Sequence, residues 1–498
     1  MDKISQVKQK TVKGLVALIA RTGLLQVIAV VATFILTVFL DPAQFGVFAI
    51  VAAAVDILVY FSDIGLAGAL IQKQDINEKD LATTFTIQQI LSLTLLGLGF
   101  LAGSLVANIY SLSLAGIWLF RALLVSVFLS GLKTIPSVLL ERKLDFIKVV
   151  TVQIAETLIF YGLAVFLAWK GFGVSSFSWA VLFRSVIGLI MIYILAPWRP
   201  RIGIDRISFK KLISFGMPFQ LNSLLGLVKD RMLVAYYGAI LSPVHVGYLQ
   251  WAERWSLFPL RMVVDNVSKV TFPAYSRLQA ERDHLVKAIE KSIFFTGLFI
   301  FPILIGLIVL APTALEVIPK YNKWQPALLA LGLFSINAMW SSISTTITNA
   351  FAAMGKININ LKLMLMWTVL TWILTPLLMS KYGYNGVAAA SALVASSSII
   401  PMIILKRILP IRLFSNIWPQ LINALIMGLI IRYVNLKLPF TIYSLLFTVL
   451  LGAILYGALL MVLMPKKLIA EIKSVWLLSS RAKPGTGRNL AKSRDLTE

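Results

Sequence analysis

The sequence predicts an all-α polytopic membrane protein with about fourteen crossing helices. Of its 498 residues, 59% are hydrophobic and only 13% charged, giving a mean hydropathy of +0.87. A soluble chain of this length would need a more polar surface. The formal charge of +25 is gathered in alternate connections, as in cytoplasmic loops, so it does not call for nucleic acid. Two motifs also recur in the same order in each half, which reads as an internal duplication.

Segments near the roughly 20 residues a helix needs to cross fall at 13–40, 45–71, 82–108, 112–139, 149–169, 174–196, 211–238, 244–268, 289–311, 325–353, 359–380, 385–405, 415–434 and 440–464. The first follows a basic tail and is long enough to remain as a span, with no cleavable leader evident. With the N-terminus inside, inner connections collect Lys73, Arg142, Lys143, Arg199, Arg277, Lys406 and many more. Outer connections hold only Lys170, Lys320, Lys323, Lys381, Arg432 and Lys437. Both termini are therefore expected in the cytoplasm. Lys269–Lys291 reads as an amphipathic segment touching lipid headgroups, and Lys466–Glu498 as a disordered basic tail.

The duplication rests on Pro42-Ala43-Gln44-Phe45-Gly46 and Pro243-Val244-His245-Val246-Gly247, and on Gly171-Phe172-Gly173-Val174 and Gly383-Tyr384-Asn385-Gly386-Val387. The offsets are 201 and 213 residues. Six helices per repeat is an even number, so both halves would enter the membrane in the same sense, about an axis along its normal. The expected units are a six-helix lobe at 1–200, a second at 201–410, two further helices at 411–465 and the tail at 466–498. The linker Pro197–Ser208 is the natural hinge, because Pro197 and Pro200 end helix six.

The run Phe61-Ser62-Asp63-Ile64-Gly65-Leu66-Ala67-Gly68-Ala69-Leu70-Ile71-Gln72-Lys73 resembles the "f-x-D-x-G-l-x-x-A-L-I-Q" signature of bacterial polysaccharide flippases. Pro42–Gly46, Asp80–Phe85, Phe272–Gln279 and Lys323–Ala327 match as well. The likeness runs from about residue 10 to residue 410 and is to the colanic-acid and teichuronic-acid exporters. These are Wzx-like members of the multidrug/oligosaccharidyl-lipid/polysaccharide (MOP) superfamily. The resemblance implies a two-lobed helical transporter of undecaprenyl-pyrophosphate-linked oligosaccharide in the bacterial inner membrane. Polysaccharide polymerase and co-polymerase proteins would be its partners.

No catalytic signature and no cofactor motif stands out. Cysteine is absent, and His245 and His284 lie in separate loops, which leaves no metal cluster. Gly355-Lys356 lacks the rest of a Walker A run. What does stand out are charges inside apolar segments. Each costs about 2.5–3.5 kcal/mol at mid-bilayer even on the lenient scale, so each needs water or a partner. The cations are Arg21, Arg121, Arg184, Lys229, Arg231, Arg254 and Arg261. Guanidinium groups in a wet cleft would replace the hydration of a pyrophosphate with bidentate hydrogen bonds. Arg184 and Arg254 fall near mid-depth, Arg21 and Arg261 nearer the inside, and Arg121 nearer the outside. Each could instead pair with an acid, and Arg261 has Asp265 four residues on.

Lys229 and Arg231, two apart, should lie on opposite sides of an α-helix. Asp56, Glu156 and Asp230 are candidates for a coupling proton or sodium ion; alternatively, Asp56 is a buried partner of Arg184 or Arg254, Asp230 neutralises a neighbour, and Glu156 pairs with a nearby cation. Asn337, Ser341, Ser344 and Thr348 share a face, as a substrate wall or as helix-packing groups. Two rival functions remain: a drug efflux pump of the same superfamily, which would favour an acidic cavity, and a membrane polymerase or ligase. The latter usually carries a large outer loop, whereas Pro312–Trp324 is short.

Overall fold

The computed structural model describes residues 23–465, with the backbone alone at 218–219 and 221–223. Arg21 and the tail at 466–498 lie outside the described residues. Among those described, every regular element is a helix. Eleven helices among the described residues are long and apolar enough to cross a membrane.

The first half holds α1 (Gly23–Phe39), α2 (Pro42–Tyr60), α3 (Leu66–Gln72), α4 (Glu78–Leu101), α5 (Gly103–Ile109), α6 (Leu114–Arg142), α7 (Phe146–Trp169) and α8 (Ser175–Leu195). The second half holds α9 (Arg206–Gly226), α10 (Met232–Ile240), α11 (Pro243–Leu278), α12 (Arg282–Val317), α13 (Leu328–Ala353), α14 (Ile357–Tyr382), α15 (Tyr384–Ser396) and α16 (Ile399–Ile408). Two helices follow, α17 (Leu413–Asn435) and α18 (Ile442–Leu463). The tight packing of α6 and α7 on α8 and of α4 on α6 makes one set. In the other, α11 packs on α13, α13 on α15 and α12 on α17, and α2 against α11 joins the sets. The connections of one face carry most of the cations; it is called the basic face here, and the other the opposite face.

Several expected single helices are broken or extended. Helix two stops at Tyr60 and restarts as α3, because Gly65 adopts φ +82, a conformation open to glycine at little strain. Helix seven passes from α9 through a π-helical turn, Leu227–Arg231, into α10. The amphipathic segment at 269–291 is no separate surface helix. α11 continues to Leu278 despite Pro259 and Pro273, and α12 begins at Arg282, so the segment closes a helical hairpin.

The two Pro/Gly turns dock on each other at the opposite face. A Cβ on Gly46 would lie 1.7 Å from the Pro243 carbonyl oxygen, and one on Gly247 1.8 Å from that of Pro42. The contact is reciprocal, so glycine is required at both positions for steric reasons. Behind it, Trp324 is fully buried. Its indole donates to the Thr37 carbonyl at 3.0 Å and stacks on Trp251 with centroids 5.4 Å apart. Lys323 adds a bond to the Val38 carbonyl at 3.0 Å.

A second reciprocal contact closes the basic face. The Tyr60 hydroxyl donates to the Gln220 carbonyl and Gln220 Nε2 donates to the Tyr60 carbonyl, each at 2.8 Å. A Cβ on Gly65 would lie 2.2 Å from the Gly216 carbonyl oxygen. The linker 197–205 is held along α4. The Thr86 and Thr83 hydroxyls accept from the Gly203 and Asp205 amides, both at 2.9 Å, and Arg201 pairs with Glu78 at 3.3 Å.

Candidate functional site: charged groups between the two helix sets

The π turn decides how charges gather between α2 and α11. Its i→i+5 winding departs from the α-helical spacing assumed for residues two apart. Arg231 Nε lies 3.1 Å from Asp56 Oδ2, and Lys229 Nζ 3.7 Å from Asp230 Oδ1. Asp230, Arg261, Arg231 and Lys229 all lie within electrostatic reach of Glu253 on α11. Lys229 and Arg231 thus take different carboxylates, Asp230 and Asp56, while both lie within electrostatic reach of Glu253. The Val228 carbonyl in this turn accepts from Trp372 Nε1 of α14 at 3.1 Å. Gln250 Nε2 bridges the Tyr237 hydroxyl at 2.9 Å and Glu253 at 3.3 Å.

One helical step away, two arginines approach one aromatic pair from different helix sets. Arg254 Nη2 of α11 donates to the Tyr161 hydroxyl of α7 at 3.0 Å. The Arg184 guanidinium of α8 lies 5.8 Å from the Phe160 ring centroid. Phe160 and Tyr161 pack edge to face, 5.0 Å apart. Both arginines are exposed, and among the described residues neither pairs with a carboxylate. The alternative in which Asp56 neutralises Arg184 or Arg254 is not what forms, since Asp56 takes Arg231. Two unpaired guanidinium groups beside aromatic rings can grip an anion from two sides.

Residues 35–329, more than half of the chain, match the family described as "Polysaccharide biosynthesis protein". The chain belongs to this family. Among curated relatives it is 24% identical over 307 residues to the succinoglycan biosynthesis transport protein ExoT of Rhizobium meliloti, covering 61% of each chain. It is 20% identical over 366 residues to the lipopolysaccharide biosynthesis protein WzxC of Escherichia coli, covering 71% of this chain and 72% of that one. The match to ExoT thus spans less than two thirds of that relative. Among solved structures, the lipid II flippase MurJ in an inward closed conformation aligns with a TM-score of 0.72 at 17% identity, over 89% of this chain and 97% of that one. An inward-facing multidrug resistance MATE transporter of the MOP superfamily aligns at 0.57 and 16% identity, over 77% and 95%. These likenesses show the fold.

Within this family chain the signature is structural. Asp63 Oδ1 accepts from the Leu66 amide at 2.9 Å and the Ala67 amide at 3.4 Å, capping α3. Gly65 makes the sharp turn and the close approach to Gly216. At the other end of α3, the Arg142 guanidinium donates to the carbonyls of Leu70, Ile71, Lys73 and Gln74. Lys73 then pairs with Asp80 at 2.6 Å. The signature thus builds the short helix that closes the basic face.

The remaining predicted residues are dispersed. Arg121 lies over the rings of Phe100 and Trp118, 5.5 and 5.7 Å from their centroids; both rings are exposed apolar groups near the opposite-face ends of α4 and α6. Asn337 Nδ2 donates to Ser391 of α15, and Ser341 donates to Asn337 Oδ1 at 2.8 Å. That pattern packs helices together. Glu156 is bonded to Lys133 of α6. Sequence reading missed Lys133 and Tyr161. Lys133 is a lysine inside an apolar segment, the same signal that marked Arg121, and was open to detection. Tyr161 carried no signal, since one tyrosine in an apolar helix is ordinary.

Proposed function

We propose that the protein is an alternating-access flippase for undecaprenyl-pyrophosphate-linked oligosaccharide in the bacterial inner membrane, serving surface or exopolysaccharide synthesis. The observation that carries this reading is the Arg184–Phe160–Tyr161–Arg254 bridge, with two exposed guanidinium groups on different helix sets. Family membership and the MurJ-like fold support it. The pyrophosphate would bind Arg254 and Arg184, with Lys229, Arg231 and Arg261 forming its approach. Arg21 and Arg121 would flank the path at its two ends, and Asn337 and Ser341 would stand behind it. Cations outnumber acids around this region, which disfavours a drug pump for cationic substrates.

The architecture proposed is two six-helix lobes at 1–200 and 201–410, two helices at 411–465 and a basic tail, with both termini cytoplasmic. The basic face is then the inner one. The count of fourteen adds α1, α9–α10 and α11 to the eleven apolar spans; the charges on the last two keep them below the hydropathy of the others. Asp56, Glu156 and Asp230 remain the acids through which a proton or sodium gradient would act.

The test is reconstitution with a lipid-linked oligosaccharide in vesicles, following headgroup access to an impermeant lectin. The reading expects headgroups to cross faster than in protein-free vesicles, while phosphatidylcholine does not. No acceleration, or equal scrambling of both lipids, would overturn it.

A further inference from the structure

Outside the arginine bridge, the first helix set holds a second charged site. Ser126, Ser130, Lys133, Ser137 and Glu141 fall four, three, four and four residues apart along α6, a continuous face reaching the basic-face end of the helix. The stretch from Ser130 to Glu141 forms one wall of a groove of about 240 Å³ whose other wall is Ala67 and Ile71 of α3. Lys133 at the groove's wall bonds to Glu156 of α7, and the two side chains are 17% and 9% exposed. An ion pair so withdrawn from water is no cheap packing device in a membrane.

The surroundings are shaped to receive it. A Cβ on Gly188 of α8 would lie 1.8 Å from Glu156 Oε1, so a glycine there makes room for the carboxylate. On another side of α6, a Cβ on Gly131 would lie 3.2 Å from Gln89 Nε2 of α4. Gln89 and Gln88 both keep buried side-chain atoms with no protein partner among the described residues. The other titratable or charged groups nearby on the packed elements are Glu141 of α6, which lines the groove with Lys133, Arg184 of α8, four residues before Gly188, and Tyr193 of α8, which donates to the Leu132 carbonyl at 3.1 Å. A metal ion would have to displace the ammonium already bonded to Glu156. A proton displaces nothing.

From this geometry we infer that the Lys133–Glu156 pair is a proton-exchange site fed from the basic face along the α3–α6 groove, separate from the arginine bridge. In the step, a hydronium ion gives its proton to a Glu156 oxygen; one O–H bond breaks, one forms, and water remains. Lys133 stays an ammonium and loses its counter-charge, so the site gains one positive charge. Release reverses the step. The change is felt by the bridge because Arg184 lies one turn from Gly188 on α8, and Ser185 beside it shares a hydrogen bond with Ser126 of α6 at 2.6 Å.

The inference rests on the flippase reading for its purpose, but not for its detection. Infrared titration of the purified full chain in lipid nanodiscs, without substrate, should show a carboxylic-acid C=O band that grows on acidification. The band should vanish in Glu156→Gln and shift in Gly188→Ala, whose methyl would crowd the carboxylate. If the single variant fails to fold, Lys133→Met combined with Glu156→Gln removes both charges and leaves no orphan ion. In vesicles, an imposed pH gradient should change flipping several-fold in the natural protein and not in the double variant. An unchanged titrating band in Glu156→Gln, a retained gradient response in the double variant, or acceleration by a sodium gradient at constant pH would overturn the proton site. Loss of the band on substitution with no flipping in any vesicle would leave the proton site standing and defeat the flippase reading.

Discussion

The two closures of this protein differ in kind. At the opposite face, backbone meets backbone across Gly46, Pro243, Gly247 and Pro42, backed by the buried Trp324 and Trp251. At the basic face, one backbone approach at Gly65 and Gly216 is joined by two hydrogen bonds between Tyr60 and Gln220. Water can replace a hydrogen bond at a net cost of about 0.5–1.5 kcal/mol. It cannot replace a dry, close-packed aromatic contact without losing the burial of large rings. The basic-face closure is thus the weaker one, and in the proposed orientation it is the side from which a lipid-linked substrate would enter.

The largest effect should come from filling the interlock. Gly247→Leu sets side-chain atoms against the Pro42 carbonyl, where nothing flexible can give way. Overpacking costs about 1–3 kcal/mol where side chains can adjust, so this site should reach at least that range. Thermal unfolding should show a lower midpoint and export should be lost; a near-normal variant would break the comparison. Next, Arg254→Ala should strongly reduce polymer export while the protein still inserts, as seen by surface polysaccharide and membrane fractionation. Arg254→Lys should rescue only in part, since it lacks the planar fork.

Smaller effects sharpen the other side of the contrast. Tyr60→Phe removes one of the paired bonds, worth about 1 kcal/mol, without disturbing the opposite face. Maleimide labelling of a cysteine at Ser62 should speed up several-fold, with the unfolding midpoint almost unmoved. The smallest change concerns the linker. The Ser208 amide donates to the Asp205 carboxylate at 2.8 Å and holds it below the usual carboxylate range. Its contribution is present above that range and fades as pH falls through the depressed value. Asp205→Asn should raise hydrogen exchange at residues 203–208 at neutral pH, and the difference from the natural protein should close in acid.

The legible parts of this molecule were those where backbone sterics or charge leave a trace in residue type. The Pro-x-x-x-Gly echoes pointed to a duplication, and they proved to be a reciprocal contact because only glycine allows that approach. Charges within apolar runs marked Asp56, Arg231 and Arg254. What stayed hidden depended on winding and tertiary choice. A π turn has no residue signature, so the winding that sets Lys229 on Asp230 and Arg231 on Asp56 was not legible. The partner of each acid also stayed open: Asp56 chose Arg231, and Glu156 chose Lys133. The linker's prolines marked it as the natural hinge, but nothing in residue type showed that Thr83 and Thr86 would bond it to α4.

Alternating access requires one closure to open only while the other holds. Spin labels at Ala43 and Val244 report the opposite face, and labels at Asn77 and Gln279 the basic face. Distances for both pairs, measured in nanodiscs with and without lipid-linked oligosaccharide, test this directly. Substrate should shift the two separations in opposite senses, with the basic-face pair showing the broader distribution before substrate is added. Two separations that stay fixed, or widen together, would contradict the account and point to a groove that never closes.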